Sequence, residues 1–199
     1  MAPWVLVSSL VSVTLSFAPV WWFARRRPDY SHLRNTISEL GETGAKDAKR
    51  VAWLAFAPAG ASVIVFAALL RTSLAAYEDV AGPLRAFSLL GVSYLGAAVF
   101  PCDEGAPPWG TWRNQMHNLV AVAGYGGAGA GLIELGRALE DIAPVAALAT
   151  LTATVGKGAL LGVFGLSLES PVRGLLQRVL EGALFGWMVL MGAWLLSAG

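Results

Sequence analysis

The sequence predicts an all-α fold, a polytopic integral membrane bundle of six transmembrane helices that takes in residues 1–199 as a single domain. Three observations predict it. The chain is 56% apolar and only 14% charged, with a mean hydropathy of +0.60, whereas a water-soluble domain carries roughly 25% charged residues. The apolar excess runs the whole length and falls into stretches of about 20 residues broken by polar turns, which is the length a helix needs to cross about 30 Å of hydrocarbon. The basic residues, finally, gather mostly between those stretches, where membrane topology places them.

The first stretch, Trp4 to Ala24, resembles a secretory signal, but no Lys or Arg precedes it, it outlasts a signal core, and it ends in Arg25-Arg26-Arg27, so it reads as an uncleaved anchor. Val51 to Ala75 and Val80 to Phe100 come next, with Pro58 and Pro83 expected to kink a helix or to start one. The fourth stretch, His117 to Gly136, holds Gly124-Tyr125-Gly126-Gly127-Ala128-Gly129-Ala130-Gly131. That run looks like a phosphate loop, yet neither a strand nor the Lys-Ser/Thr pair of a P-loop accompanies it. In an apolar span, small residues let backbones approach, so the run predicts a helix-packing face. Ile142 to Leu166, with Pro144 near its start, and Gly174 to Ala198 complete the set. Trp4, Trp21, Trp22, Trp109, Trp112 and Trp194 are expected near the interfaces, where amphipathic rings settle.

Charge sets the expected sidedness. Arg25, Arg26, Arg27, Arg34, Lys46, Lys49 and Arg50 crowd the first connector, and Arg113 and Arg173 belong to the third and fifth, against Arg71 and Arg137 in the others with Arg85 close to that face. The positive-inside bias then predicts cytoplasmic odd-numbered connectors, with both termini outside a plasma (inner) membrane. A net charge of +1 gives no general attraction to nucleic acid. The expected partners are membrane lipids and a membrane-embedded substrate. The single cysteine, Cys102, rules out an internal disulfide and paired-cysteine zinc motifs.

With six spans, the odd-numbered connectors share one face, and they hold most of the unusual polar residues. The first carries Tyr30-Ser31-His32 and Ile37-Ser38-Glu39-Leu40-Gly41; the third carries Pro101-Cys102-Asp103-Glu104 and reaches His117-Asn118; the fifth carries Glu169, Ser170 and Arg173 and leads into Gln177-Arg178 and Glu181. Both histidines of the protein lie on this face.

The segments YSHLRNTISELGETGA, FPCDEGAPPWGTWRNQMHNLVAVAGY and GLLQRVLEGALFGW, in that order and spacing, resemble the signature segments of the prokaryotic membrane family known as domain-of-unknown-function family 998. The resemblance covers essentially the whole chain, the first two segments being the specific ones. It implies a compact multi-helix membrane fold with a polar cluster, matched here by Tyr30, Ser31, His32, Ser38, Glu39, Cys102, Asp103, His117, Asn118, Gln177 and Arg178. It implies no particular reaction. Where many relatives place a proline soon after the SELG segment, Lys46 and Asp47 follow Gly44-Ala45 here, so the loop exit is expected to differ.

Read as chemistry, these residues leave several alternatives open. His32, Asp103 and His117, with Glu39, are the mixed imidazole and carboxylate set that would suit zinc or another divalent metal with an open water position, giving a hydrolase of a lipid or membrane-embedded substrate. The catalytic candidates of such an enzyme are Ser38, Glu39, Asp103, His117 and Arg178. Cys102 with His117 as base and Arg113 or Arg178 as oxyanion partner is a second arrangement, and Ser38 with His32 or His117 a third. The plainer expectation is that His117 and Asn118 anchor a helix end, Asp103 caps a turn and His32 meets solvent. A rival function is a small transporter, channel or lipid-binding module built on Lys157 and Glu181, with Glu134. Lys157 and Glu181 fall at similar depth and could pair, although Arg178 is also one helical turn from Glu181. A third is an assembly partner docking through the glycine-rich span.

Overall fold

The computed structural model describes residues 1–76, 80–140 and 146–198. Among them there is no strand, and six helices are long and apolar enough to cross a membrane: α1 (Ala2–Ala24), α2 (Ala48–Ser73), α3 (Ala81–Val99), α4 (Trp112–Glu140), α5 (Ala146–Leu166) and α6 (Arg173–Ala198). Each packs on its neighbours in sequence, and α6 returns to α1, so the bundle closes as a ring. The expected spans are all present. The fourth is longer than predicted, 29 residues, because the polar turn Trp112 to Met116 is already helical and the helix runs on past Gly136 to Glu140. The expected start of the fifth at Ile142, and Pro144, lie outside the described residues.

Large apolar side chains face outward around the ring, among them Val7, Leu10, Trp53, Leu119, Leu161 and Phe164, with Leu161 74% exposed. In water such a surface would be an aggregation site, and in lipid it costs nothing. Trp4, Trp21, Trp22, Trp109 and Trp112 are exposed as expected of interfacial rings, and the Arg25 guanidinium lies 3.3 Å over the Trp21 ring. The largest fully buried side chain, Trp187, stacks among Phe66 and Phe87 and donates its indole N–H to Thr152 Oγ1 at 2.9 Å.

Prolines shape rather than break the helices. Pro58 has no N–H, and just ahead of it α2 widens into a π turn over Ala52–Phe56. Pro83 sits in the first turn of α3, where its missing donor is harmless. The glycine run packs helices, as its composition predicts: a Cβ on Gly129 of α4 would come 2.9 Å from the Gly156 carbonyl oxygen of α5, and one on Gly156 would come 2.6 Å from that of Gly129. Only glycine allows that approach.

The odd-numbered connectors meet at one end of the ring. Thr43 N–H donates to Cys102 O at 2.8 Å and Leu175 N–H to Leu33 O at 3.0 Å, while Gly105 N–H donates to Glu42 Oε2 at 2.8 Å. The first connector is therefore a plug, bonded to the third connector on one side and to the start of α6 on the other.

Candidate functional site

Inside the connector end lies a cavity of about 490 Å³. Its walls come from two polar stripes at helical spacing. On α4, His117, Ala121 and Tyr125 follow each other at i, i+4 and i+8; on α6, Arg173, Gln177 and Glu181 do the same. Ser93 and Tyr94 of α3, Phe56 of the π turn, the Thr36-Ile37-Ser38 segment and the end of α5 with its connector, from Val163 to Glu169, also line it, as does the exposed Trp109.

Ser38 and His117 come together on this wall. Ser38 opens a short 3₁₀ turn, Ser38–Gly41. The end of α3 leaves carbonyls without helical partners, and His117 Nδ1 lies 2.9 Å from one of them, Phe100 O. A carbonyl only accepts, so Nδ1 carries the proton and Nε2 is the bare acceptor. Nε2 lies 3.1 Å from Ser38 Oγ, so the hydroxyl donates to it. His117 is 4% exposed and Ser38 half-buried, which fixes the base while leaving the nucleophile reachable. Among the described residues, neither member of the pair has a carboxylate behind it.

The other sequence candidates are occupied elsewhere. Glu39 is buried and turned away from the cavity: Oε1 accepts from Thr36 N–H and Oγ1 at 2.7 and 3.0 Å, and Oε2 from Asn35 Nδ2 at 2.6 Å. Asp103 accepts from the N–H and Oγ1 of Thr111 at 2.7 and 2.8 Å, and so sets the threonine that precedes α4; this is the turn-capping role expected of it. Arg178 places its guanidinium on Tyr30 OH, His32 Nδ1, His32 O, Asn35 O and Gly174 O, at 2.6 to 3.0 Å. It lashes the first connector to α6. Gly174 has no side chain because a Cβ there would sit 2.8 Å from His32 O.

The metal reading is corrected on the same grounds. His32 Nδ1 is taken by Arg178, both ring nitrogens of His117 are engaged with Phe100 and Ser38, and Asp103 serves Thr111. Among the described residues, no group of three His, Cys, Asp or Glu is placed to hold a metal ion. Nor does Cys102 meet His117. Its thiol is fully buried, lies 3.5 Å from Ser38 O, and is pushed up to about 12 by burial first and then by the nearby Glu42 and Glu39 carboxylates, which leaves it without nucleophilic thiolate. Lys157 and Glu134 lie on exposed faces of their helices, so neither reaches Glu181, and Arg178 does not pair with it either; Glu181 takes the Tyr125 hydroxyl instead.

Several working residues escaped the sequence reading. Tyr125 hides in the glycine run, although its spacing from His117 puts it on the same face. Glu42 is 2% exposed and forms an ion pair with Arg27. Asn114, fully buried, accepts from Asp103 N–H at 3.0 Å and donates to Pro107 O at 2.8 Å, holding the third connector in shape. Gln177, placed on the polar face by the sequence but given no role there, accepts from Ile37 N–H at 2.7 Å and donates to Tyr125 OH at 3.2 Å, joining the backbone next to Ser38 to the floor of the cavity.

No curated protein and no solved structure matches the chain. A family model does, over residues 10–194, and it takes in every segment that builds the cavity: the chain belongs to the family described as protein of unknown function, DUF998.

Proposed function

We propose that this membrane protein is a serine-dependent acyl hydrolase of a lipid ester, with Ser38 as nucleophile and His117 as general base. The observation that carries the reading is the Ser38 Oγ to His117 Nε2 contact of 3.1 Å, with the opposite ring nitrogen held on Phe100 O at 2.9 Å, on the wall of a cavity at the membrane boundary. Imidazole held in the correct tautomer by an acceptor is what such a base requires, and a carbonyl can take the place of the usual carboxylate at some loss of rate.

The reaction runs in two halves. Ser38 Oγ attacks the ester carbonyl carbon while its proton passes to His117 Nε2; the tetrahedral intermediate collapses, the proton goes to the departing alkoxide, and the acyl group stays on Ser38. Water, deprotonated by the same nitrogen, then releases the fatty acid and restores the serine. Arg173 lines the cavity with its Nε buried and unpartnered, and offers positive charge to an anionic headgroup or to the developing oxyanion. The basic odd-numbered connectors support a cytoplasmic mouth, with both termini on the far side.

The test is labelling of protein in lipid nanodiscs by a fluorophosphonate probe, with the modified residue mapped by mass spectrometry. The expected result is label on Ser38, none in Ser38→Ala, and a rate reduced about 10²- to 10⁴-fold in His117→Ala. Absence of label on Ser38, together with no turnover of a short-chain phospholipid ester, overturns the assignment.

A further inference from the structure

The inner end of the cavity carries chemistry that ester cleavage does not use. Glu181 is 1% exposed. One carboxyl oxygen, Oε1, accepts from the Tyr125 hydroxyl, which in turn accepts from Gln177 Nε2 at 3.2 Å. The other, Oε2, is buried with no hydrogen-bond partner among the described residues, and the residue lines the cavity. The Tyr94 hydroxyl is close enough to the carboxyl to interact with it, but it falls outside hydrogen-bond geometry and leaves Oε2 without a partner.

Among the described residues, no cation serves this oxygen. Arg178 is fully engaged with the first connector, Lys157 faces outward, and Arg173 lies eight residues earlier on α6, about 12 Å along the axis. A buried carboxyl oxygen without a partner is costly, and a ligand that brings a donor removes the cost. The surroundings select the kind of donor. A small metal ion needs several oxygens converging on it, and among the described residues no such acidic or histidine group exists. Phe56, Tyr94 and Tyr125 line the same end of the cavity, and aromatic faces beside a carboxyl suit an organic ammonium.

We propose that the inner end of the cavity is a binding subsite for the protonated amine of an amphiphile, held by Glu181 Oε2 among Tyr94, Tyr125 and Phe56. The subsite needs the cavity but not the nucleophile, so it stands apart from the hydrolase reading. The amine can belong to a free long-chain amine or to a lipid headgroup; the chemistry recognised is the same.

The experiment titrates protein in phosphatidylcholine nanodiscs with dodecylamine and, separately, with dodecanol, which enters the bilayer but brings no charge, and reads saturable change in the thermal midpoint. The expected result is an apparent dissociation constant for the amine about tenfold below that for the alcohol, a ratio that collapses to near one in Glu181→Gln and survives in Ser38→Ala. Equal affinities in the wild type, or a preference that persists in Glu181→Gln, overturn the proposal. Should that variant fail to fold, Glu181→Asp withdraws the carboxyl by one methylene: a reduced ratio supports the subsite and an unchanged one overturns it. Repeating the titration with phosphatidylethanolamine in the discs separates the sources, since competition by that lipid identifies a headgroup amine and its absence a free amine. Because the amine preference is read in Ser38→Ala and the fluorophosphonate label in Glu181→Gln, failure of one assignment leaves the other measurable.

Discussion

The connector end of the bundle holds two polar regions built from the same residue types, and they differ in what remains unspent. In the outer one, around Arg178, His32, Asn35, Glu39, Arg27 and Glu42, each guanidinium and carboxylate is engaged by a neighbour: Arg178 alone reaches five acceptors, and both Glu42 oxygens are taken, by Arg27 and by Gly105 N–H. In the inner one, along the cavity, capacity is left over: a half-buried serine hydroxyl on a bare imidazole nitrogen, an unpartnered Arg173 Nε and an unpartnered Glu181 Oε2. Saturated groups hold a fold together, and groups with open valence facing a cavity are placed to act on something else. Residue type alone does not separate the two.

The comparison breaks most visibly at Glu42. Glu42→Ala leaves Arg27 partly buried without its counter-charge and frees Gly105 N–H, a loss expected to be about 3 kcal/mol, or roughly 10 °C in the thermal midpoint for a chain of this size. The folded fraction should still label at Ser38 within about threefold of wild type. A variant as stable as wild type, measured by thermal unfolding in detergent, would put Glu42 in the wrong region.

Gln177 straddles the boundary and sharpens it. Gln177→Ala removes the acceptor of Ile37 N–H and the donor to Tyr125 OH together, so a stability loss of about 2 kcal/mol is expected. Ile37 precedes the nucleophile, so the labelling rate of the folded protein should fall as well, by about tenfold. Gln177→Glu keeps an acceptor for Ile37 and should recover most of the rate. If rate and stability part company, with stability lost and rate intact, Gln177 belongs wholly to the outer region.

Much of the fold is legible from hydropathy and charge, because a membrane demands long apolar runs and leaves little choice of how to fill them. Six spans, the shared face of the odd-numbered connectors and the packing role of the glycine run all follow from that demand. The family resemblance is legible from the connector segments, and it reaches the right end of the molecule. What did not follow is the sorting within that end. Glu39, Asp103, His32 and Arg178 have catalytic side chains in structural jobs: Arg178 and His32 meet across a long stretch of sequence that no local pattern bridges, whereas Glu39 and Asp103 are spent on near neighbours, Thr36 with Asn35 and Thr111, which residue type alone does not announce. Tyr125 and Glu181 show the converse. Their helical spacing from His117 and Arg173 was readable, but the glycine run drew attention to packing and an apparent partner at Lys157 drew Glu181 toward the wrong pair. Helix rotation decides that case: Lys157 faces outward and Glu181 inward.

The smallest effect tests the outer region through pH. His32 accepts from Arg178 Nε at its Nδ1, an arrangement that requires the neutral ring with its proton on Nε2. Partial burial, and next the Arg178 charge, hold its pKa below the ordinary 6.5, so the unfolded chain binds the proton more readily than the folded one. The contribution of neutral His32 is therefore fully present above about pH 6.5 and is lost as pH falls through the depressed folded value. Lowering the pH from 8 to 5 should cost the wild type up to about 2 °C more in thermal midpoint than it costs His32→Gln, whose amide oxygen accepts from Arg178 at either pH. The side chain is well exposed, and solvent screening keeps the effect this small. An identical pH response in the two proteins would mean that Arg178 holds the connector through the carbonyls of His32, Asn35 and Gly174 alone, with the imidazole a bystander at the edge of the saturated region.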